Sequence, residues 1–154
     1  SKALGVQGGI LAGSEDVRTH ALNHSRSWLL SGSQPPGVAA AQKAAIEVLM
    51  SEPEHVQRLW DNTTYFKEQL DSMGFDTGVS ETPIVPVMCG DSRKAQDLSS
   101  LMRDEGVMVG AIVFPMVARD KARVRTQMSA GLSREELDSV LESFDRCGRK
   151  LGLI

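Results

Sequence analysis

The sequence holds two cysteines, Cys89 and Cys147, with no CxxC pair and no histidine at ligand spacing beside them. That pattern argues against both a thiolate metal site and a disulfide framework, and both residues read as buried thiols. Three histidines are present. His20 and His24 stand four apart on an expected helix, but no third acidic or thiol ligand accompanies them, so no metal is expected. An excess of one charge is also missing. The 17 Lys and Arg against 20 Asp and Glu leave a net −3 spread along the chain, with no basic block to track a phosphate backbone. Nucleic acid is therefore not an expected partner. No apolar run approaches the ~20 residues that cross a bilayer, and no basic segment leads into an apolar one. No membrane association is expected, and a soluble cytoplasmic protein is the default. Internal repeats and low-complexity tracts are absent as well.

What is present is enough for a packed core, since 41% of the 154 residues are hydrophobic. The segment "GGILAGS" is a short apolar run closed by a turn, which suits a buried strand. Ser14 with Glu15 and Asp16 behind it predicts an N-cap and a helix over roughly 15–23. Gly32, Pro35 and Pro36 break the next apolar segment, and the prolines can open the helix expected in "VAAAQKAAIEVLM", small enough on most faces to pack closely. From Pro53 on, Val56, Leu59, Trp60, Thr63, Phe66, Leu70 and Met73 recur at helical spacing until Gly74. "ETPIVPVMCGD", with Pro83 and Pro86, reads as an edge strand. Ser92 is expected to cap a helix that stops at Gly106. Two β-rich runs follow, "GVMVGAIVFPMV" and "ARVRTQMSA", joined by "ARDKA" as a polar connection of hairpin length. Ser133 and Glu136 then form a capping box before an apolar stripe of Leu137, Val140, Leu141, Phe144 and Leu151.

The back half therefore predicts helix, strand, helix, strand, strand, helix, an α+β module with helices over one face of a small sheet. The front 50 residues, with one expected strand and two helices, cannot bury themselves alone and read as a piece of something larger.

A lysine beside small residues can be a nucleophile when its amine is held unprotonated, attacking a carbonyl to form a Schiff base. Lys2 stands in such a place, ahead of Gly5, Gly8 and Gly9. A P-loop is excluded, because that motif needs its lysine after the glycines. "SKALGVQG" resembles the attachment signature of class II pyridoxal-phosphate aminotransferases, and "S-x-x-PP", "RLWDN", "AIVFPMVA" and "ARVRTQMSA" extend the resemblance along the chain to the α-oxoamine synthases. Within them, "ETPIVPVMCGD", "RVRTQMSA" and "GRKLGLI" are similar to the branch that condenses glycine with acetyl-CoA to 2-amino-3-ketobutyrate and CoA. Branches making 8-amino-7-oxononanoate or 5-aminolevulinate are the alternatives, as is a non-catalytic fragment.

The resemblance implies an α/β fold of the fold type I pyridoxal-phosphate transferases. Residues 1–52 would close the large cofactor domain, and 53–154 would form the small C-terminal α+β domain. It implies Lys2 as the catalytic residue, bonded to pyridoxal 5'-phosphate and then acting as the proton-transfer base. Arg125 would grip the substrate carboxylate, and it shares a strand face with Arg123. Ser31 or Ser33, and Ser1, would contact the cofactor. A homodimer is implied, with the Ser31 hydroxyl reaching the neighbouring subunit's phosphate. The aspartate for the pyridine nitrogen and most CoA contacts belong to a region that would precede Ser1, so this chain by itself is expected to be incomplete for catalysis.

Overall fold

The computed structural model describes residues 2–154, which divide between Pro53 and Glu54 into two compact units. In the first unit, α1 spans Glu15–His24, α2 Arg26–Leu29 and α3 Pro36–Ser51. Ser14 caps α1 by accepting from the Val17 amide, as its position predicts, and Pro36 begins α3, where a missing N–H costs nothing.

Two expectations fail here. "GGILAGS" forms no strand, and Ile10 and Leu11 are 58% and 65% exposed. A strand needs a neighbour to complete its ladder, and the described residues of this unit offer none. The alanine-rich α3 does not pack closely either. Its one buried residue is Gln42, whose Nε2 donates to the Gln7 carbonyl at 3.2 Å.

The second unit runs α4 (Glu54–Met73), β1 (Ile84–Gly90), α5 (Ser92–Asp104), β2 (Gly110–Ile112), β3 (Ala122–Gln127) and α6 (Arg134–Leu151). This is the element order the sequence predicts. The three strands form an antiparallel sheet in the order β1-β3-β2. Pro86 accordingly lies in an edge strand, where its lack of an N–H is tolerated. Asp91, not Ser92, caps α5, its Oδ1 accepting from Arg93 N at 2.8 Å and Lys94 N at 3.0 Å. Both residues are good caps, and the extended backbone falls on the aspartate. The connection between β2 and β3 is longer than "ARDKA", because it takes in residues 113–121 with a cis Phe114–Pro115 bond.

The core lies between the sheet and its helices. Val85, Val87, Ala122 and Val124 point inward from alternate positions of β1 and β3, and meet Phe66, Leu70, Leu98, Met102, Leu137 and Phe144. Each of the larger side chains contributes about 1.5–3 kcal/mol by leaving water. Phe144 also makes edge-to-face contacts with Phe66 and Phe75, at centroid distances of 6.1 and 6.0 Å. Cys89 and Cys147 are free, buried thiols, and burial pushes both above the ordinary thiol range.

Candidate active site

The helices cover one face of the sheet, and strand alternation sends every second side chain of β3 to the other. Arg123 and Arg125 both point that way, while Val124 sits in the core. The register places Arg125 between Pro86 on β1 and Gly110 on β2, and Arg123 between Met88 and Ile112. Both arginines line a groove of about 650 Å³. The Arg125 guanidinium forms no hydrogen bond or ion pair among the described residues, and an added Cβ at Gly110 would meet nothing within 4 Å. A cation is thus presented beside open space, the arrangement needed to take a carboxylate through two parallel hydrogen bonds. Arg123 Nε donates to the Lys121 carbonyl at 3.1 Å. The one carboxylate lining this groove, Asp76, accepts from the Gly78 amide at 2.9 Å.

Lys2, Ser31 and Ser33 belong to the first unit. Lys2 is exposed and opens a turn in which its carbonyl accepts from Gly5 N at 2.9 Å, with Gly5 at φ 67°. Gly8, at φ 117°, has its own reason to be glycine, since an added Cβ would overlap the Gln34 amide. Ser31 and Ser33 line a second groove of about 710 Å³ together with Arg18, Ser27 and Trp28, and Lys2 is not part of that lining. The Ser31 hydroxyl donates to the Ser27 carbonyl at 2.6 Å and accepts from Ser33 N at 3.3 Å. Ser33, at φ 64°, keeps its hydroxyl free of hydrogen bonds among the described residues. Of the two serines, Ser33 therefore offers the unengaged group. Ser1 lies outside the described residues.

His20 and His24 stack at 4.5 Å, and no group of three or more potential metal ligands gathers among the described residues. No helix among them is long and apolar enough to cross a membrane.

The sequence reading missed a polar cluster on α4. Lys67 Nζ donates to Asp71 Oδ2 at 2.7 Å and to Thr77 Oγ1 at 2.6 Å, while Thr77 donates to Asp71 Oδ1 at 2.5 Å. Burial works against the charged form of Asp71, yet these hydrogen bonds together hold its carboxyl below the usual range. The Lys67–Asp71 spacing of four was the visible signal; Thr77 comes from the following loop and gave none.

Comparison with known proteins gives a consistent family. The family described as aminotransferase class I and II matches residues 1–144. The 8-amino-7-oxononanoate synthase of Symbiobacterium thermophilum is 52% identical over the whole chain. A Thermus thermophilus protein named 8-amino-7-oxononanoate synthase/2-amino-3-ketobutyrate coenzyme A ligase is 43% identical over the same span. The chain covers 39% of the length of each of these relatives. Among solved structures, serine palmitoyltransferase from S. paucimobilis with a bound PLP–myriocin aldimine superposes with a TM-score of 0.82 at 28% identity, over 88% of this chain and 35% of that one. The 8-amino-7-oxononanoate synthase of Francisella tularensis shares the fold, with a TM-score of 0.74 at 18% identity, over 92% of this chain and 41% of that one. The relatives thus lean towards 8-amino-7-oxononanoate synthesis, where the sequence motifs favoured the glycine and acetyl-CoA branch.

Proposed function

Because the chain belongs to the aminotransferase class I and II family of pyridoxal-phosphate enzymes, we propose that it carries the lysine and the carboxylate-binding arginine of an α-oxoamine synthase of the 8-amino-7-oxononanoate type. The observation that carries this reading is the unpaired Arg125 guanidinium on the open face of β3, beside the vacant space at Gly110. The reading is supported by 52% identity to a synthase of that name.

The residues present fit pyridoxal phosphate in kind. Lys2 supplies a primary amine, and an added Cβ at Gly5 or Gly9 would meet nothing within 4 Å, so the backbone around the lysine leaves room for a planar ring. Ser33, and Ser31 if it gives up its backbone partners, supplies a hydroxyl for the phosphate. Bound at Lys2, the cofactor supplies an electron sink for charge developing on the amino acid's α-carbon. Lys2 then holds or moves the proton at that carbon. Arg125 fixes the amino acid by its carboxylate, which sets orientation as well as affinity. In this reading residues 1–52 close the cofactor domain and 53–154 form the small domain. The protein works as a homodimer, with the Ser31–Ser33 turn serving the neighbouring copy's phosphate.

The product's structure names the substrates. Its ketone closes a seven-carbon acyl chain that still bears a terminal carboxyl, and its amino-bearing carbon and methyl are alanine less the carboxyl. Alanine and a pimeloyl thioester therefore combine with release of CO2 and the free thiol. A second reading, glycine with acetyl-CoA giving 2-amino-3-ketobutyrate, is favoured by the Thermus thermophilus relative that carries both names.

The test is turnover by the full-length enzyme of which this chain forms part. Alanine with pimeloyl-CoA is expected to give 8-amino-7-oxononanoate by mass spectrometry. Product from glycine with acetyl-CoA alone would replace this reading with the second. Lys2→Ala is expected to abolish both turnover and the visible absorption of the covalently held cofactor. Unchanged absorption would remove Lys2 from its role.

A further inference from the structure

Arg123 is the guanidinium that the reading above leaves without a task. It stands two residues from Arg125 on the same face of β3, about 7 Å away along the strand. Its surroundings differ from those of Arg125. Met88 on one side and Ile112 on the other give it an apolar floor, whereas Arg125 lies between Pro86 and an empty glycine position. Lys121 lines the same groove, so three cations face a single carboxylate, Asp76, in a chain whose net charge is −3. Neither guanidinium nor the Lys121 ammonium has an acidic partner among the described residues.

A groove so biased selects anions, and one amino-acid carboxylate at Arg125 neutralises only part of it. A ligand that suits the whole groove has two carboxylates joined by an apolar stem long enough to span the two arginines. A pimeloyl chain condensing with an amino acid is such a ligand.

Resting on the proposed function, we infer that Arg123 receives the free carboxylate at the far end of the acyl donor, with its methylenes lying over Met88 and Ile112. Arg123 is thus a specificity residue that favours a dicarboxylic acyl chain over one ending in a methyl. A planar guanidinium suits this task better than an ammonium, because it can take the carboxylate through two hydrogen bonds.

The test compares pimeloyl-CoA with heptanoyl-CoA, which has the same chain length and carrier but no terminal carboxylate, in the holoenzyme. The wild type is expected to prefer pimeloyl-CoA in kcat/KM. In Arg123→Gln that preference falls at least about tenfold, through a higher KM for pimeloyl-CoA, with kcat and the KM for alanine little changed. Arg123→Lys is expected to restore part of the preference. A measurement that needs no variant adds free pimelate, expected to compete with pimeloyl-CoA where heptanoate does not.

If Arg123→Gln raises KM equally for both thioesters, the arginine meets the carrier's phosphates or acts through the fold, and the inference is overturned. It is overturned equally if the wild type makes 8-amino-7-oxononanoate yet does not discriminate between pimelate and heptanoate. Turnover of glycine and acetyl-CoA alone would instead remove the functional reading on which it rests.

Discussion

The residues that fix this structure differ in how far they reach along the chain. At Gly148 the side chain is a hydrogen because Phe75 occupies the space: an added Cβ would lie 2.8 Å from Phe75 Cε1 and 3.2 Å from Ile154 Cγ1. Phe75 is itself held edge-on against Phe144, so it has little room to retreat. Gly148→Ala is expected to destabilise the protein by about 1–3 kcal/mol through overpacking, despite the gain in helix propensity. Urea unfolding checks this, and an equal or higher midpoint would show that Phe75 can yield. Asn62 is a second such residue, donating to the carbonyls of Ser129 and Leu132 at 3.0 Å each. Neither residue announced its task in the sequence, because Phe75 lies dozens of positions from Gly148, as Ser129 and Leu132 do from Asn62. Arg125 was legible, since alternation along "ARVRTQ" alone puts it on the face opposite Val124. Arg125→Lys, which keeps the charge and loses the fork, is expected to raise the KM for the amino acid about tenfold or more with a smaller change in the acyl donor's KM. An unchanged amino-acid KM would take Arg125 out of carboxylate binding.

At the scale of the element, what was legible is what is local. The capping box of α6 joins residues three apart, with Ser133 N donating to Glu136 Oε2 at 2.8 Å and Glu136 N to Ser133 Oγ at 3.2 Å. Ser133→Ala is expected to cost about 1 kcal/mol, read as a lower unfolding midpoint. The failed strand at "GGILAGS" shows the converse, since apolarity marks a segment that needs a partner but cannot supply the partner's ladder. Helix α6 is also tied by charge. Arg146 reaches Glu105 at 2.6 Å, and Arg149 pairs with Asp145 at 2.7 Å. The hydrogen bond from Arg146 holds Glu105 below its usual range, and Arg149 does the same for Asp145. A carboxyl depressed in the folded state stabilises fully above its unfolded value, near 4, and loses that contribution as pH falls through the folded value. Thermal stability is therefore expected to hold between about pH 7 and pH 5 and to decline below about pH 4. Arg146→Met is expected to make the decline shallower, and an identical acid profile in that variant would show that the pair does not contribute.

At the scale of the whole molecule the two units differ in whether they can account for their own folding. Residues 54–154 enclose a core fed by every helix of the unit and by β1 and β3, with Phe66, Leu98, Val124 and Phe144 fully buried. The sequence displayed most of this through the helical spacing of α4, α5 and α6 and the alternation along "ARVRTQ", while β1, where Val85, Pro86 and Val87 are all buried, alternates less clearly. Among the described residues of the first unit no hydrophobic side chain is buried, and Ile10, Leu11, Trp28 and Leu30 are all more than half exposed. Its helices rest on local terms: the Ser14 cap, the Pro36 start and the alanine content of α3. Local terms leave helices of this length marginal in water. Expressed as a separate polypeptide, residues 54–154 are thus expected to unfold in one cooperative transition, with an ordered near-ultraviolet signal from Tyr65, whose ring packs against the core with the Arg134 guanidinium 3.5 Å from its centre. A peptide of residues 1–53 is expected to show partial helicity that melts gradually with no transition. Gradual melting of 54–154, or dye binding typical of a loosened core, would mean that the packing around Phe144 does not suffice to order the sheet that presents Arg123 and Arg125. Cooperative unfolding would place the carboxylate-binding face on a self-supporting scaffold, and would leave the Lys2 segment as the part whose order must come from outside itself.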